Sequence, residues 1–205
     1  MADGKVNVMA AGHPTLDPLA PLAPDEQDGV LVLRARAGEV TAFDVLVGRY
    51  LERAYAVALR LMRQREDAED LVQDAFIQAM QQLDRFDARR SFGPWFFRIL
   101  VNRGMNLRRS RRVRSTEELP LDVVDREDSP ARQLERQELR ERLCAAIDRL
   151  PDRERMVVEL FELEGFDSAE IAEILDIPRG TVRWHLHEAR RNLREQLLAF
   201  QEEDA

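Results

Sequence analysis

The sequence predicts an all-α protein made of two small helical domains joined by a flexible linker. Ala, Leu, Glu and Arg dominate the composition, and all four residues favour helices. Gly and Pro number only 9 each in 205 residues, and long strand-like runs are missing. Apolar residues recur at helical spacing along most of the chain, except near its start and over residues 113–131.

The charge of the chain is unevenly distributed. Its net charge is −8, which argues against a protein that binds DNA unaided, because affinity for phosphates rests on Lys and Arg. Yet residues 98–114 hold seven arginines and no acid, whereas residues 65–70 and 117–128 are acidic. This asymmetry predicts separate surfaces for separate partners.

The sequence has no feature of an enzyme, a metal site or a cofactor site. No nucleophile–base pair or Gly-rich phosphate loop is recognisable, and His13, His185 and His187 lack metal-ligand spacing. The single cysteine, Cys144, fits the reducing cytoplasm, and its apolar helical neighbours predict inert packing. No apolar run approaches the roughly 18 residues of a membrane helix, and no signal peptide is recognisable. We therefore expect neither membrane insertion nor a small-molecule substrate.

Residues 1–25 are predicted to be a disordered extension, because Ala, Pro and Leu occur there without helical period. A first domain is expected over residues 26–112, beginning with two helices separated near Gly38. The second helix carries an apolar stripe of Phe43, Leu46, Val47, Tyr50, Leu51, Ala54, Val57, Ala58 and Leu61. Asp67 is the expected cap of a third helix. That helix should bury Leu71, Ala75, Phe76, Ala79 and Leu83.

A loop over residues 84–93 and a fourth helix, with Pro94 in its first turn, complete the first domain. This helix begins apolar, which places Trp95 and Phe96 in the core, and it ends polar and basic. Aromatic rings beside guanidinium groups suit single-stranded nucleic acid, because bases stack on rings while arginines hold phosphates.

Residues 113–131 contain many acids, two prolines and no sustained period, and are predicted to be a linker. The second domain is expected over residues 132–199. Its first helix has the apolar positions Leu139, Leu143, Ile147 and Leu150. Pro151 should start the next helix, which should end at Gly165.

A short helix, a tight turn and a long amphipathic helix then predict a helix-turn-helix. Asp167 is the expected N-cap of the short helix, and Glu170 completes a capping box. The long helix should bury Val182, Leu186, Ala189, Leu193 and Leu197. Trp184, His187 and Arg191 lie opposite, where the second helix of such a motif meets base edges in the major groove. The alternative is that Trp184 packs against a neighbouring helix and the arginines are merely solvated.

Several stretches of the chain resemble the sigma factors of bacterial RNA polymerase, in their compact extracytoplasmic-function (ECF) group. The first domain contains AFDVLVGRYLERAYAVALRL, REDAEDLVQDAFIQA and LDRFDARRSFGPWFFRILVNRGMNLRRSRR. The second contains LPDRERMVVELFELEGFDSAEIAEILDIPRGTVRWHLHEARRNLRE. Several matched blocks in this order are far more specific than a helix-turn-helix alone.

The resemblance implies a protein that binds core RNA polymerase, recognises minus-10 and minus-35 promoter elements and directs promoter melting and transcription initiation. The first domain would be region 2, a four-helix domain, and the second would be region 4. The polymerase-binding residues would be Asp67, Glu69, Asp70, Gln73 and Asp74. The minus-10 residues would be Arg89, Arg90, Ser91, Asn102, Asn106, Arg108, Arg109 and Arg112. The minus-35 residues would be Arg179, Thr181, Arg183, Trp184, His185, His187, Arg190 and Arg191.

The sequence departs from the family at two places. Trp184 and His185 stand where members often carry Ser and Arg, which predicts a different preferred minus-35 sequence. Asn106 stands where an acid is common. The resemblance also implies an inhibitory anti-sigma factor as a further partner.

Two other interpretations use only part of these features. A LuxR-type regulator would bind duplex DNA as a dimer without polymerase, and it leaves the basic helix at 92–112 unexplained. An RNA-binding protein could use the arginines of that helix, but this interpretation gives the helix-turn-helix no role.

Overall fold

The computed structural model describes residues 24–112 and 142–203, and the regular structure in these two ranges is helical. The first domain contains α1 (Pro24–Arg36), α2 (Val40–Met62), α3 (Arg65–Gln82), a 3₁₀ turn (Leu83–Arg85) and α4 (Phe92–Arg112). The second contains α5 (142–148), α6 (Asp152–Val158), a π-helical turn (Glu159–Leu163), α7 (Ser168–Leu175) and α8 (Arg179–Glu203). The predicted all-α class is confirmed. The predicted linker and residues 1–23 of the predicted extension lie outside the described residues.

The first domain has an aromatic core between α2, α3 and α4. Phe92, Phe96 and Phe97 are fully buried, and the Phe96 ring stacks on Phe76 with centroids 4.4 Å apart. Gly104 allows α4 to approach its neighbours closely, since a Cβ there would lie 2.9 Å from methyl groups of Leu61 and Leu71. The basic half of α4 is therefore held at a fixed position on this core.

Several details of the first domain differ from the prediction. α1 begins at Pro24, so residues 24 and 25 are helical rather than part of the extension. Asp67 does not cap α3, which begins at Arg65; its carboxylate lies in the first turn, where the helix dipole favours an acid. Leu51 is exposed instead of buried. α4 begins at Phe92, so the preceding loop is shorter than expected.

In the second domain, α8 packs on α6 and α7 through Val182, Leu186 and Ala189, which are buried as predicted. The capping box is also confirmed. The Asp167 side chain accepts hydrogen bonds from the backbone N–H groups of Ala169 and Glu170, and the Glu170 carboxylate accepts one from Asp167 N at 2.8 Å. This cap fixes the start of α7.

α5 differs from the prediction in the residues that it exposes. Leu143 is 40% exposed, and Cys144 is exposed as well, so neither residue packs in the core. Ala146 and Leu150 are the buried residues of this segment.

Asp167→Ala should reduce the stability of the second domain by about 1 kcal/mol, because it removes the N-cap. The hydrogen bonds from Glu170 and Ala169 lower the pKa of Asp167, so its stabilisation is present above the unfolded-state pKa. This contribution disappears as the pH falls through the lowered folded-state pKa. Urea unfolding at neutral and strongly acidic pH measures both effects.

Asp167→Asn is the control for this prediction, because asparagine caps helices about as well but carries no charge. It should retain most of the stability at neutral pH and lose the pH dependence. An alanine variant as stable as the wild type at neutral pH would contradict the role of the cap.

Within residues 24–112 and 142–203, no helix combines the length and hydropathy required to span a bilayer. The same ranges contain no group of three or more His, Cys, Asp or Glu side chains placed to hold a metal ion.

Candidate nucleic-acid interface

The second half of α4 presents a polar face. Asn102, Asn106 and Arg109 are exposed and follow one another at helical spacing, so they lie on one side of the helix. Arg108 is half-buried beside them. This face combines amide groups, which can bond base edges, with guanidinium groups, which can bond phosphates. The side chain of Arg112 lies outside the described part of the chain.

Residues 86–91, called the α3–α4 loop below, present two arginines. The Arg89 side chain is 91% exposed, and its Nε lies 3.1 Å from the Asp87 carboxylate. The hydrogen bond from the Arg89 side chain lowers the pKa of Asp87. Arg90 is also exposed and pairs with a carboxylate of the second domain, while Ser91 is half-buried. The loop therefore offers charged side chains to solvent.

The aromatic residues around this loop belong to the core. Phe86 and Phe92 are buried with their rings edge-on, 5.8 Å apart, and the Phe86 ring lies 4.7 Å from that of Trp95. Phe96 is fully buried, as predicted, whereas Trp95 is half-buried and packs against the edge of the core instead of lying within it. Among these rings only Trp95 retains part of its surface for a base to contact.

The first turns of α8 present the residues predicted to read duplex DNA. Arg179, Arg183 and His187 are exposed, and the Trp184 side chain is 55% exposed. Trp184 does not pack into a neighbouring helix; its ring lies 4.9 Å from that of His185. Thr181 and His185 are half-buried. This is the exposed outer side of a helix-turn-helix, as the sequence pattern indicates.

Two further arginines of α8 form ion pairs with carboxylates of the second domain. Arg190 Nη2 lies 2.7 Å from the Glu162 carboxylate, and Arg191 Nη2 lies 2.5 Å from Glu188. The Arg190–Glu162 pair is exposed and contributes little stability, so the Arg190 guanidinium can exchange its carboxylate for a phosphate at small cost.

α3 presents an acidic face that ends in two apolar residues. Glu69, Asp70 and Gln73 are exposed, as predicted for a protein-binding surface, and the half-buried Asp74 holds Arg103 of α4 at 2.5 Å. Asp67 is half-buried. Farther along the same face, Ile77 and Met80 are 48% and 55% exposed. Ile77 and Met80 were not among the residues predicted for this face, although they follow Gln73 by four and seven positions and so lie on the same side of the helix.

The two domains pack through α4 and α7 around one aromatic contact. The ring of Phe166, which is buried, lies edge-on to Phe97 with centroids 4.9 Å apart. The guanidinium of Arg53 lies 3.5 Å from the centroid of Phe166 and donates to the backbone carbonyl of Glu164. Burial lowers the pKa of Arg53.

Ion pairs surround this contact, and in each pair the arginine comes from the first domain. Arg98 Nη2 lies 2.9 Å from Asp176, and Arg108 Nη2 lies 3.9 Å from Asp152. Further pairs among the described residues are Arg53–Glu164, Arg60–Glu164, Arg63–Asp148 and Arg90–Glu173. Two arginines predicted to meet the minus-10 element, Arg90 and Arg108, thus lie beside carboxylates of the second domain. No sequence pattern pointed to these pairs.

Comparisons with protein families match the chain in two places. The family description Sigma-70 region 2 covers residues 46–114, and Sigma-70, region 4 covers residues 140–193.

Curated relatives match most of the chain. The ECF RNA polymerase sigma-E factor of Escherichia coli (strain K12) is 35% identical over 176 residues, which is 80% of this chain and 90% of the relative. The RNA polymerase sigma-H factor of Pseudomonas aeruginosa is 32% identical over 175 residues, covering 80% of this chain and 91% of that protein.

Solved structures show the same fold. CnrH, in complex with the cytosolic domain of CnrY, superposes with a TM-score of 0.63 at 29% identity, covering 84% of this chain and 98% of CnrH. The sigma factor RpoE in complex with the anti-sigma factor NepR from Bartonella quintana gives a TM-score of 0.62 at 23% identity, covering 76% and 96%.

Proposed function

The chain belongs to the ECF group of the sigma-70 family, and from this premise we propose which of its surfaces meet RNA polymerase and promoter DNA. It is a sigma factor that directs transcription initiation by RNA polymerase. The observation that carries this conclusion is 35% identity to a sigma factor across 80% of the chain. We place it in the cytoplasm, and we assign region 2 to residues 26–112, the linker to 113–131 and region 4 to 132–199.

The polymerase-binding surface is the exposed face of α3. Its acids Glu69 and Asp70 and the amide of Gln73 give it charge complementarity to a basic partner, while Ile77 and Met80 add apolar area at its C-terminal end. Asp67 lies at the start of this face, and Asp74 also orients α4 by pairing with Arg103. Docking on polymerase also explains how a chain of net charge −8 reaches DNA, because the partner supplies the remaining affinity.

The minus-10 surface consists of the α3–α4 loop and the exposed face of α4. Arg89 and Arg90 of the loop, with Arg108, Arg109 and Arg112 of α4, hold phosphates, while Asn102, Asn106 and Ser91 bond base edges. Because the aromatic rings are mostly buried, recognition here depends more on hydrogen bonds than on stacking. An unstacked base captured at the loop offsets a few kcal/mol of lost stacking and so favours melting.

The minus-35 surface is the exposed side of α8. Arg179, Thr181, Arg183, Trp184, His185 and His187 lie within its first turns, where recognition helices meet base edges, and Arg190 and Arg191 hold the backbone. Trp184 adds a large apolar surface that can contact a thymine methyl group.

We also propose an anti-sigma factor as a regulatory partner. CnrH and RpoE of Bartonella quintana, which share this fold, were solved in complex with the cytosolic domain of CnrY and with the anti-sigma factor NepR, respectively. An inhibitor that covers the basic faces of α4 and α8 would block both DNA surfaces.

Reconstitution tests the proposed function. Full-length protein and core RNA polymerase are mixed with random DNA, and bound promoters are selected and transcribed. Initiation at defined start sites should require both proteins. Two-fold symmetric protection of duplex DNA by the chain alone would instead identify a LuxR-type regulator.

Asn102→Ala and Arg183→Ala should separate the two DNA surfaces, each reducing transcription from a selected promoter about tenfold. Asn102→Ala should become insensitive to base changes in the minus-10 element, and Arg183→Ala to changes in the minus-35 element. Each variant is the control for the other, and both should bind core polymerase normally. Loss of polymerase affinity in Asn102→Ala would contradict this division of surfaces.

A further inference from the structure

The α3–α4 loop is supported from one side by α1, a helix with no predicted contact to DNA. Backbone bonds within residues 83–91 include Phe86 N to Leu83 O at 3.1 Å and Arg90 N to Asp87 O at 2.9 Å. We propose that α1 is a positioning element for minus-10 recognition, in which Arg36 and Gly29 fix the backbone that carries Arg89 and Arg90. This inference rests on the proposed function, because it assumes that the loop meets the minus-10 element.

Arg36, in the last turn of α1, bonds the backbone where the 3₁₀ turn becomes the loop. Its Nε donates to the Leu83 carbonyl oxygen at 2.8 Å, and its Nη2 donates to the carbonyl oxygens of both Leu83 and Phe86. A carbonyl oxygen has two lone pairs, so the Leu83 oxygen accepts from Arg36 in addition to the bond from Phe86 N. A planar guanidinium binds the Leu83 and Phe86 carbonyl groups in a fixed geometry that the single ammonium of lysine does not reproduce.

Gly29 brings α1 into direct contact with the loop backbone. It is buried, and a Cβ at this position would lie only 2.6 Å from the Ala88 carbonyl oxygen. Because the obstacle is a backbone atom, even alanine must push the loop or the helix aside. Ala88 directly precedes Arg89 and Arg90, so such a shift would move both arginines.

α1 is itself fixed to the core. The Asp28 carboxylate is fully buried and accepts hydrogen bonds from the Tyr50 hydroxyl and the Arg49 guanidinium of α2. A buried carboxylate requires partners of this kind. The Tyr50 ring in turn lies 5.4 Å from Phe92, the first residue of α4. The support under the loop therefore continues into the helix that presents Asn102.

The test compares two arginines of α1. Arg36→Gln removes the bonds to the loop, whereas Arg34→Gln is the matched control, because Arg34 is exposed and pairs with Glu39 at the start of α2. Full-length variants are assembled with core polymerase. The probe is a fluorescent single strand carrying the non-template minus-10 sequence of a promoter selected by the wild-type holoenzyme.

Arg36→Gln should weaken strand binding about tenfold, as expected for losing hydrogen bonds from a charged donor. Affinity for core polymerase and sensitivity to minus-35 base changes should remain as in the wild type, which a general loss of folding would not allow. Arg36→Lys should restore only part of the binding. Arg34→Gln should change it by less than about twofold. Amide hydrogen exchange over residues 83–91 should accelerate in Arg36→Gln but not in the control Arg34→Gln.

Gly29→Ala displaces the backbone of the same loop while Arg36 stays intact. If Arg36→Gln misfolds and loses polymerase binding, Gly29→Ala therefore still tests whether α1 positions the loop. It should weaken strand binding while polymerase affinity persists. A wild-type holoenzyme that does not bind the strand would overturn the proposed function itself. A wild type that binds, with Arg36→Gln and Gly29→Ala equally tight, would overturn the role of α1.

Discussion

Phe96→Ala should lower the free energy of unfolding of region 2 by about 3–5 kcal/mol. Phe96 is fully buried, stacks on Phe76, and has the rings of Phe92, Phe97 and Tyr50 within 6.1 Å of its centroid. Alanine would leave a cavity that these rings fill only in part. Since small domains are stable by only about 5–15 kcal/mol, much of region 2 would unfold under mild denaturant.

The two tryptophans make this measurement specific to one domain. In a Trp184→Phe background, the fluorescence of Trp95, which contacts Phe86 and Phe92, reports the urea unfolding of region 2. Leu33→Ala is the control, because Leu33 is 55% exposed and should change stability by no more than about 0.5 kcal/mol. A Phe96→Ala midpoint equal to that of the control would contradict the aromatic core.

Arg53→Ala should separate region 2 from region 4 in the free protein. It removes the guanidinium that lies over Phe166 and donates to the Glu164 carbonyl group. A partly desolvated cation–π contact contributes about 2 kcal/mol, so the equilibrium should shift roughly 30-fold toward separated domains. Energy transfer from Trp95 to an acceptor on Cys144, the single and exposed thiol, measures the change in a Trp184→Phe background.

Arg34→Ala is the matched control, since it breaks an exposed ion pair that lies within region 2. Small-angle scattering should show a larger radius of gyration for Arg53→Ala only. Equal transfer efficiency and equal radius in the two variants would show that the contact with Phe166 does not hold the domains together.

Local signals explain the successful predictions. The N-cap of α7 was readable because Asp167 and Glu170 lie three residues apart and their hydrogen bonds close within one turn. The exposure of Trp184 followed from the helical spacing of Val182 and Leu186, which are buried on the other side of α8. The division of α4 into an apolar and a basic half was visible for the same reason.

The incorrect predictions arise where packing decides the outcome. Periodicity gives the direction of an apolar stripe but not its width, so Leu51 and Leu143 were placed in the core although their side chains are exposed. Asp67 was expected to cap α3, but it lies in the first turn of the helix. An aspartate is favourable at both positions, so the sequence does not distinguish them. Cys144 was expected to be buried from its sequence neighbours, which do not determine what covers a helix.

Contacts between distant parts of the chain had no signal in the sequence. Arg36 bonds backbone groups 47 and 50 residues away, and Arg53 bonds a carbonyl group 111 residues away. Nothing in the pattern around an arginine indicates whether it bonds a phosphate, a carboxylate or a backbone carbonyl group. Only the three-dimensional arrangement distinguishes these partners.

The pairs Arg90–Glu173 and Arg108–Asp152 make region 4 a tethered competitor for the phosphate groups that region 2 should bind. A carboxylate on the same chain acts at an effective concentration of about millimolar, whatever the dilution of the protein. A nucleic acid that is not a promoter contacts these arginines one at a time. For each contact it must displace the carboxylate that already pairs with that arginine. A promoter aligned on the polymerase displaces both together, so the protein's own acids discriminate against nucleic acid met by chance.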